Sequence, residues 1–447
     1  MASTPRFITL LIAKSTYKIL RLLGKNSSVF SGAVALKLDK DILGKITPPK
    51  HLIMVSGTNG KTSTTNLLKD SFLSNGYSVI DNHLGSNILT GITSSLINNC
   101  DLNGVCHQDI ACLELDERSA RTVFPYLTPE YLIVSNIQRD TMLRNPHTEY
   151  IFDIINKYLP KQTKLILNAD DLISSQLGKD NDKVFYKVEV QENEKFKDNI
   201  VKDITVCPKC HSELKWKFVR YNSIGQGYCP NCDFKSSEAQ YIAISNHNNQ
   251  LQTNVGEYPL VGGNRIIDMY NEISIIALLK EFGLTDQEIT KGLKDKKIVA
   301  SRYLDEKIAD KTVISMLAKG MNAIACSNSF ETVSNDKEEK SVLMILDDEH
   351  ENRKSSEIVS WIYDTDFEFL KDPKIKQIVV GGKRSYDYKV RLLLAGVDEN
   401  KIICSLDEIK TAELLDLSVD KIYILWDMYN TNSYKGIKET LHRRLTK

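Results

Sequence analysis

The segment from residue 51 to residue 75 constrains the fold of this 447-residue chain more than any other. Residues 51–56 (HLIMVS) are mostly apolar and predict a strand, and residues 62–75 predict a helix. The hexapeptide GTNGKT lies between them at residues 57–62. A strand that passes through a glycine turn directly into a helix is the context in which phosphate-binding loops occur.

The residue types in this turn suit a bound phosphate. Glycines let backbone N–H groups approach phosphate oxygens, and the N-terminus of the following helix favours an anion. Lys61 is placed to reach the β- and γ-phosphates of a nucleotide, and the Thr62 hydroxyl is placed to ligate Mg²⁺. The general phosphate-loop spacing also requires glycine where this chain has Val55, so that pattern is only half met. A glycine turn with a lysine by chance is the alternative, and the flanking strand and helix argue against it.

Strands and helices alternate along most of the chain. Further strands are predicted at 109–115, 131–136, 164–168, 341–346, 376–380 and 421–426, and a helix at 270–282. This alternation implies an α/β fold with parallel sheets and helices on both faces. We expect a basic segment at 1–50 packed on a central ATP-binding domain at 51–296, and a C-terminal Rossmann-like domain at 297–447.

Residues 206–236 interrupt the alternation and carry two Cys-x-x-Cys pairs. The four cysteines are Cys207, Cys210, Cys229 and Cys232. Two such pairs suit a tetrahedral four-thiolate Zn²⁺ site, and four protein ligands leave no open position, so the metal is expected to be structural. A pair of redox dithiols and a nucleic-acid-binding ribbon are the alternatives. The other five cysteines show no metal spacing and are expected to be core or incidental.

Polar residues follow two of the predicted strands. Glu114 ends one strand, and ligands gather at the carboxyl ends of parallel strands, so Glu114 is a candidate ligand for Mg²⁺ beside the nucleotide. The sequence Asn-Ala-Asp-Asp at 168–171 follows another strand, and Asn271 lies near the start of a later helix. Either could clamp adenine or ribose, although asparagine near a helix start is more often a cap.

Charge is unevenly placed in an otherwise balanced chain. The 58 basic residues cancel the 58 acidic ones, so no overall field recruits nucleic acid. Residues 1–50, however, hold nine Lys and Arg against Asp39 and Asp41. The longest early apolar run, 7–13, is too short to span a bilayer, and an odd number of cysteines, nine, favours a reducing, cytoplasmic location.

The N-terminal segment predicts an amphipathic helix. Its basic stripe consists of Lys14, Lys18, Arg21 and Lys25, and its apolar face of Ile8, Ile12, Ile19 and Leu23. One interpretation is a surface helix docked on the protein by its apolar face. The other is a basic surface that faces anionic lipid head groups or a diphosphate substrate.

Taken together, these motifs resemble the Mur ligases of peptidoglycan synthesis. The four-cysteine insertion and further segments, such as 85–87, 91–94, 320–322 and 360–368, resemble the MurT-type ligase subunits of lipid II isoglutaminyl synthases. The resemblance implies that ATP phosphorylates the α-carboxyl of D-glutamate in the lipid II stem peptide, and that ammonia then attacks the acyl phosphate to give D-isoglutamine. It also implies that the ammonia comes from a GatD-like glutamine amidotransferase partner in a heterodimer.

The resemblance assigns individual residues. Gly57, Thr58, Asn59, Gly60, Lys61 and Thr62 would contact the ATP phosphates, Thr62 and Glu114 would hold Mg²⁺, Asn271 would contact adenine, and the four cysteines would hold Zn²⁺. Of a family loop that contacts nucleotide phosphates, the chain keeps Arg302. Where the family has an aspartate that completes the partner's catalytic dyad, the chain has Ile358, with Glu357 beside it as a candidate substitute.

These departures leave alternatives to the leading hypothesis. The chain could be a divergent paralogue that activates another carboxylate, or a non-catalytic ATP-binding scaffold for a glutaminase. For the leading hypothesis we expect a cytoplasmic protein that works at the inner face of the membrane on a lipid-linked substrate, with no nucleic-acid partner.

Overall fold

The computed structural model describes residues 4–24, 29–83, 86–139, 147–192, 194–261, 265–294, 296, 303–318, 320–346 and 359–446. The chain divides into two compact units. The first comprises residues 1–138, 147–198 and 202–298, and the second comprises residues 299–447 with the short segments 139–146 and 199–201.

The helices and strands of the first unit have the following bounds. Its α-helices are α1 (Arg6–Leu22), α2 (Phe30–Leu38), α3 (Lys61–Ser74), α4 (Leu89–Asn99), α5 (Ala120–Val123), α6 (Thr148–Tyr158), α7 (Ile266–Phe282) and α8 (Asp286–Leu293). Its strands are β1 (His51–Ser56), β2 (Val79–Asp81), β3 (Ile110–Glu114), β4 (Tyr131–Val134), β5 (Lys164–Asn168), β6 (Lys183–Val188), β7 (Lys215–Tyr221), β8 (Ile224–Tyr228), β9 (Tyr241–His247), β10 (Gln250–Thr253) and β11 (Gly256–Pro259).

Within the described residues of this unit, nine strands form one sheet in the order β11-β10-β9-β6-β5-β4-β1-β3-β2. The strands from β9 to β2 pair in parallel, and β10 and β11 add an antiparallel edge. β1 and β4 are almost entirely buried, as expected for apolar strands covered on both faces. β1 lies between β3 and β4, so the segments after these three strands meet at one edge of the sheet.

The two N-terminal helices pack on α4. Gly32 in α2 permits a close approach, since a Cβ at this position would meet the Thr90 carbonyl oxygen, and its N–H donates to Ser94 Oγ at 2.7 Å. α1 buries Thr9, Leu10 and Ala13. The sequence interpretation in which α1 docks by the face of Ile8, Ile12, Ile19 and Leu23 is wrong. Ile8, Ile12, Ile19 and Leu23 are between 40% and 64% exposed, because the smaller stripe on the opposite side of the helix is the one that packs.

The second unit is a smaller α/β body. Its strands are β12 (Tyr303–Ile308), β13 (Lys311–Leu317), β14 (Lys340–Ile345), β15 (Ile375–Gly381), β16 (Ile402–Ser405) and β17 (Lys421–Trp426), and its α-helices are α9 (Ala323–Asn335), α10 (Ser385–Leu394), α11 (Thr411–Leu414) and α12 (Thr431–Leu445). In its described part the sheet order is β12-β13-β17-β14-β15-β16, parallel except for β12. Apolar clusters cover both faces of this sheet.

The α/β class predicted from the sequence is confirmed. All seven strands predicted from apolar runs are present, and their bounds differ from the predicted ones by at most two residues. Parallel strands buried on both faces are nearly continuous apolar runs, which makes them conspicuous in the sequence. The part of the chain that the structure describes contains no helix long and apolar enough to cross a membrane.

Candidate functional site

The GTNGKT loop connects β1 to α3 through two left-handed glycines. Gly57 has φ 123° and Gly60 has φ 92°, a region that residues with a Cβ rarely adopt. A Cβ at Gly57 would meet Ser135 Oγ, and a Cβ at Gly60 would lie 2.5 Å from Asn271 Oδ1. Glycine is therefore required at both positions by backbone conformation and by space.

The segment after β4 holds this loop in place. The Thr58 N–H donates to the Asn136 carbonyl oxygen at 2.9 Å, and the Asn59 N–H donates to Asn136 Oδ1 at 3.1 Å. Asn59 Nδ2 donates to Gln138 Oε1 at 2.9 Å, and Ser135 Oγ donates to the Asn59 carbonyl oxygen at 2.6 Å. The loop is thus fixed by hydrogen bonds before any ligand binds, which lowers the entropic cost of binding phosphate.

Lys61 lies nearly buried at the start of α3. Its Nζ donates to the Gly57 carbonyl oxygen at 2.5 Å and to Glu117 Oε1 at 3.1 Å. Burial lowers the pKa of Lys61, but the nearby carboxylates of Glu117, Glu114 and Asp116 outweigh it and raise the pKa above its ordinary value. The ammonium is therefore charged at neutral pH, as a phosphate-binding group requires.

Thr62 and Glu114 meet in a way that fits Mg²⁺. Thr62 Oγ1 donates to Glu114 Oε2 at 2.8 Å, and Asn87 Nδ2 donates to Glu114 Oε1 at 2.9 Å. Asn82 fixes the backbone of Glu114 from both sides, since its Oδ1 accepts from the Glu114 N–H and its Nδ2 donates to the Glu114 carbonyl oxygen. A hydroxyl and a carboxylate beside a phosphate-type loop are the oxygen ligands that Mg²⁺ takes together with nucleotide phosphates.

α7 brings Asn271 to this loop. The helix begins at Ile266, four residues before the predicted start, so Asn271 lies in its second turn and is not a cap. Asn271 is buried with its Oδ1 against Gly60. The structure thus places it at the phosphate-type loop, together with Lys61, Thr62 and Glu114; its contact with adenine stays a prediction.

The aspartates of the Asn-Ala-Asp-Asp segment are used inside the protein. Asp171 is fully buried and accepts from the Ile137 N–H at 2.9 Å and from Ser223 Oγ at 2.9 Å. Asp170 accepts from the Tyr270 hydroxyl at 2.6 Å. Burial raises the pKa of both carboxyls. The suggestion that this segment clamps adenine or ribose is therefore wrong for the two aspartates, because their oxygens are taken by protein donors.

Arg220 on β7 joins Asp170 and Tyr270 in a buried network. Its guanidinium donates to the Tyr270 hydroxyl, lies 3.5 Å from Asp170 Oδ2, and forms a two-point ion pair with Glu194 at 2.5 and 2.8 Å. Arg220 is 2% exposed. Because Tyr270 precedes Asn271, this network connects β7 to the helix that contacts the glycine loop.

The four cysteines converge as their spacing predicts. All four sulfurs lie within 4.8 Å of one another, with Cys207 Sγ 3.5 Å from Cys232 Sγ and Cys210 Sγ 3.4 Å from Cys229 Sγ. Tetrahedral coordination at a zinc–sulfur distance of about 2.3 Å places sulfurs at similar separations. The geometry fits a closed, structural Zn²⁺ site.

Backbone turns aim these sulfurs at one point. The Lys209 N–H points to Cys207 Sγ and the Asn231 N–H to Cys229 Sγ, both at 3.4 Å, so the two Cys-x-x-Cys turns have the same geometry. Hydrogen bonds from Ser212 lower the pKa of Cys210 to about 6, which favours the thiolate that binds metal. The antiparallel hairpin of β7 and β8 connects the two turns, and residues 206–236 together form the four-cysteine ribbon.

The remaining predicted residues are distributed as follows. Arg302, Glu357 and Ile358 lie outside the described residues. Cys100, Cys106, Cys112 and Cys326 are buried and Cys404 is half-buried, in agreement with a core role. In the second unit, Asp364 pairs with Arg139 at 3.0 Å, and Glu368 pairs with Arg391 at 2.8 Å.

The comparisons with known proteins agree with this architecture. The family model of the MurT ligase C-terminal domain matches residues 317–429. A Staphylococcus aureus (strain COL) protein named lipid II isoglutaminyl synthase (glutamine-hydrolyzing) subunit MurT is 32% identical over 417 residues, which are 91% of each chain. The chain belongs to the MurT family of ligases. The MurT subunit of Streptococcus pneumoniae (strain ATCC BAA-255 / R6) is 28% identical over 403 residues, 88% of each chain.

Solved structures show that this MurT-family chain has the Mur ligase fold. A pseudomurein peptide ligase type C from Methanothermus fervidus has a TM-score of 0.66 at 22% identity, and the match covers 90% of this chain and 81% of that one. MurF ligase from Thermotoga maritima in complex with ADP has a TM-score of 0.57 at 14% identity, over 93% and 84%.

Sequence reasoning assigned no role to two side chains that shape the site of this MurT-family protein. Glu117 pairs with Lys61, and its position three residues after Glu114 on the same strand exit is a signal that could have found it. Arg220 appeared in the sequence only as one of several basic residues of the cysteine-bearing segment. Its burial depends on contacts from β6, α7 and the segment at Glu194, which no local pattern reveals.

Proposed function

We propose that this chain is the ATP-dependent ligase subunit of a lipid II isoglutaminyl synthase. The observation that carries the proposal is the joint placement of Lys61, Thr62 and Glu114 around a preformed glycine loop, in a chain of the MurT family. The relatives are named as subunits of a glutamine-hydrolysing lipid II isoglutaminyl synthase, and we extend that activity and that subunit role to this chain.

The reaction we propose has two steps. An oxygen of the D-glutamate α-carboxylate attacks the γ-phosphorus of ATP, the bond from that phosphorus to the bridging oxygen breaks, and ADP leaves. Ammonia then attacks the carbonyl carbon of the acyl phosphate, the bond to the phosphate oxygen breaks, and inorganic phosphate leaves while the nitrogen loses a proton to solvent. The product is D-isoglutamine.

Each residue of the site has a role in this scheme. The loop from Gly57 to Thr62 would bind the phosphates through the N–H groups at its α3 end, because the N–H groups of Thr58 and Asn59 already donate to Asn136. The Lys61 ammonium would face negative charge that develops during phosphoryl transfer. Thr62 and Glu114 would hold Mg²⁺, which supplies charge neutralisation at the phosphates when bound. Asn271 would contact adenine or orient the loop from the α7 side. The four cysteines would hold Zn²⁺ for stability.

A glutaminase subunit supplies the ammonia in this proposal. Ammonia is mostly protonated at neutral pH, so direct transfer between subunits would preserve the nucleophile. We propose that a GatD-like amidotransferase binds chiefly to the second unit and that the complex works in the cytoplasm, in peripheral contact with the membrane that carries its substrate. Arg302 would contact ATP phosphates, and Glu357 would orient the partner's catalytic His.

The direct test is turnover by the complex of this chain with a GatD-like amidotransferase from the same organism. We expect ATP hydrolysis that depends on lipid II, and mass spectrometry should show one carboxyl converted to carboxamide. Lys61→Ala should abolish both, and Lys50→Ala, an exposed lysine before β1, should not. ATP hydrolysis without amidation of lipid II would favour a paralogue with another acceptor. ATP binding without hydrolysis would favour a scaffold.

Coupling to the glutaminase has its own test. Glutamine hydrolysis is measured for the partner alone, with this chain, and with its Glu357→Gln form. We expect weak stimulation by the natural chain and less by the variant, because the neutral amide side chain of the variant cannot stabilise the partner's imidazolium. Glu413→Gln, an exposed site in α11, is the matched control. Equal stimulation by natural chain and Glu357→Gln would contradict the role of Glu357.

A further inference from the structure

Helix α1 presents a large apolar face to solvent. Seven large apolar side chains of this helix and its C-terminal end are between 40% and 88% exposed: Phe7, Ile8, Leu11, Ile12, Ile19, Leu22 and Leu23. Scattered exposed apolar residues are ordinary on a protein surface, but seven within one short segment form a contiguous patch. Such a patch marks a surface that another body covers.

The patch lies opposite the side by which α1 is held. At about 100° per residue, the seven side chains fall within an arc of roughly 160°, and the buried Thr9, Leu10 and Ala13 are centred on the other side of the helix. Lys14 Nζ donates to the Cys100 carbonyl oxygen at 2.5 Å, which holds the helix against the rest of the first unit. The apolar arc therefore stays outward without any rearrangement of α1.

Positive charge lies along one border of the apolar arc: at about 100° per residue, Lys18 falls roughly 20° inside the edge that Phe7 forms, and Arg21 falls roughly 40° outside it. Lys18 and Arg21 are exposed, and α1 contains no acidic residue that could neutralise them. In residues 1–50 the acids are Asp39 and Asp41, and Asp39 is buried in an ion pair with Lys45 at 2.6 Å. An apolar arc with a cationic border complements an anionic bilayer. The apolar side chains can insert among the acyl chains, and the cations can pair with the lipid phosphates.

We propose that α1 is the membrane-docking element of this protein, lying flat on an anionic bilayer with its apolar arc among the acyl chains. This inference rests on the proposed function, because a lipid-linked substrate is held at such a surface. α1 is 17 residues long, roughly 25 Å, so its full length can lie along the interface. The docked helix brings the first unit, with its glycine loop, to the leaflet that holds the substrate.

The test measures binding of the full-length chain to vesicles by sedimentation. One set of vesicles is phosphatidylcholine alone, and the other is seven parts phosphatidylcholine to three parts phosphatidylglycerol. We expect binding to the anionic set. Leu11→Ser with Leu22→Ser should lower the partition coefficient by about tenfold or more, since two leucine side chains no longer leave water. Val390→Ser with Leu394→Ser, exposed on α10, is the matched control and should change it less than twofold.

A second pair of variants tests the cationic border. Lys18→Gln with Arg21→Gln should weaken binding to anionic vesicles by about tenfold or more, at about fivefold for each cation near the surface, and should leave binding to neutral vesicles unchanged. Lys435→Gln with Arg443→Gln removes two exposed charges from α12 as the control. All of these positions are exposed, so thermal unfolding should be unchanged, and this is checked for each variant.

Three results would overturn the proposal. Vesicle binding could be absent, or it could be equal for the natural chain and the α1 variants. Alternatively, sedimentation velocity could show a dimer that only the α1 variants dissociate, so that a second copy covers the arc. The proposed function is tested separately, because amidation of detergent-solubilised substrate does not require docking. Vesicle binding without amidation in detergent would contradict the proposed function and leave this inference standing.

Discussion

Asn271 on α7 closes over Gly60 of the glycine loop, with its side-chain oxygen 2.5 Å from the position that a Cβ of Gly60 would occupy. The two residues are more than two hundred positions apart in the chain, and their contact brings α7 to the N-terminus of α3. The site is therefore sensitive to any atom added at Gly60.

Gly60→Ala is expected to impair nucleotide binding. Its Cβ would displace Asn271, and φ 92° strains any residue with a Cβ by roughly 1–2 kcal/mol. Gly76→Ala is the matched control at the other end of α3, where φ is 87° but nothing lies within 4 Å. We expect the ATP dissociation constant, measured by calorimetry, to rise on the order of tenfold or more for Gly60→Ala only. Equal losses in both variants would mean that backbone strain alone is responsible.

Lys61→Ala is expected to lower ATP turnover on the order of 10²-fold or more, because it removes the charge that, under the proposed function, faces the transferring phosphate. Glu114→Ala should act similarly by loosening Mg²⁺. The structure adds that Lys61→Ala leaves the Glu117 carboxylate buried without its cation, so the variant should also lose stability. Adding Glu117→Gln to Lys61→Ala should restore the melting temperature but not the turnover. Near-normal turnover in the single variants would contradict the assignment.

Stoichiometric zinc is expected, one ion per chain, held by the four cysteines of the ribbon. Cys207→Ser with Cys210→Ser should abolish the metal content and lower the melting temperature, because a structural metal contributes its binding free energy to folding. Cys404→Ser, half-buried in the second unit, should keep the zinc. Elemental analysis of the purified protein is the measurement, and zinc-free protein of full stability would refute the site.

Arg220→Met is expected to destabilise the first unit by about 3–5 kcal/mol, because Glu194 and Asp170 would keep buried carboxylates without their cation. Denaturant unfolding measures this loss, with Lys217→Met, exposed on the same strand, as the control. ATP affinity should fall as well. Tyr270, which precedes Asn271 in α7, loses the donor that fixes its hydroxyl, so the position of α7 at the glycine loop is less well fixed. Unchanged unfolding would show that the network is not needed for folding.

Glu272 should make stability depend on pH. Burial raises the pKa of this carboxyl to about 8, and its Oε1 has no hydrogen-bond partner among the described residues. The folded state therefore holds the proton up to about pH 8, whereas the unfolded state releases it near the ordinary value of 4.5. This contribution to stability is fully present below pH 4.5 and is lost as the pH rises towards 8.

Glu272→Gln removes that dependence. We expect it to raise the melting temperature at pH 8 relative to the natural chain, by an amount that corresponds to a few kcal/mol at about 1.4 kcal/mol per pKa unit, and to raise it less at pH 5. Glu149→Gln, exposed on α6, should change neither value. A variant that is equally stabilised at both pH values would show that Glu272 does not titrate in this range.

The local features of the site could be predicted from neighbouring residues alone. The strand, the glycine turn and the helix at residues 51–75 depend on neighbouring residues alone, as do the two Cys-x-x-Cys turns, and both are found as predicted. Buried parallel strands are apolar runs in the sequence, so the α/β class could be predicted from them as well. These features are local because backbone conformation and short spacing decide them.

Which distant residues meet, and which face of a helix is buried, depends on the packing of the whole chain. Lys61 finds Glu117, Arg220 finds Asp170, and Asn271 finds Gly60 only because the strand order places their segments side by side. Periodicity identified the apolar face of α1 but not its direction. A helix packs by the side that fits its neighbours. Here the small residues Thr9 and Ala13 pack against the rest of the first unit, and the larger apolar side chains of α1 face outward.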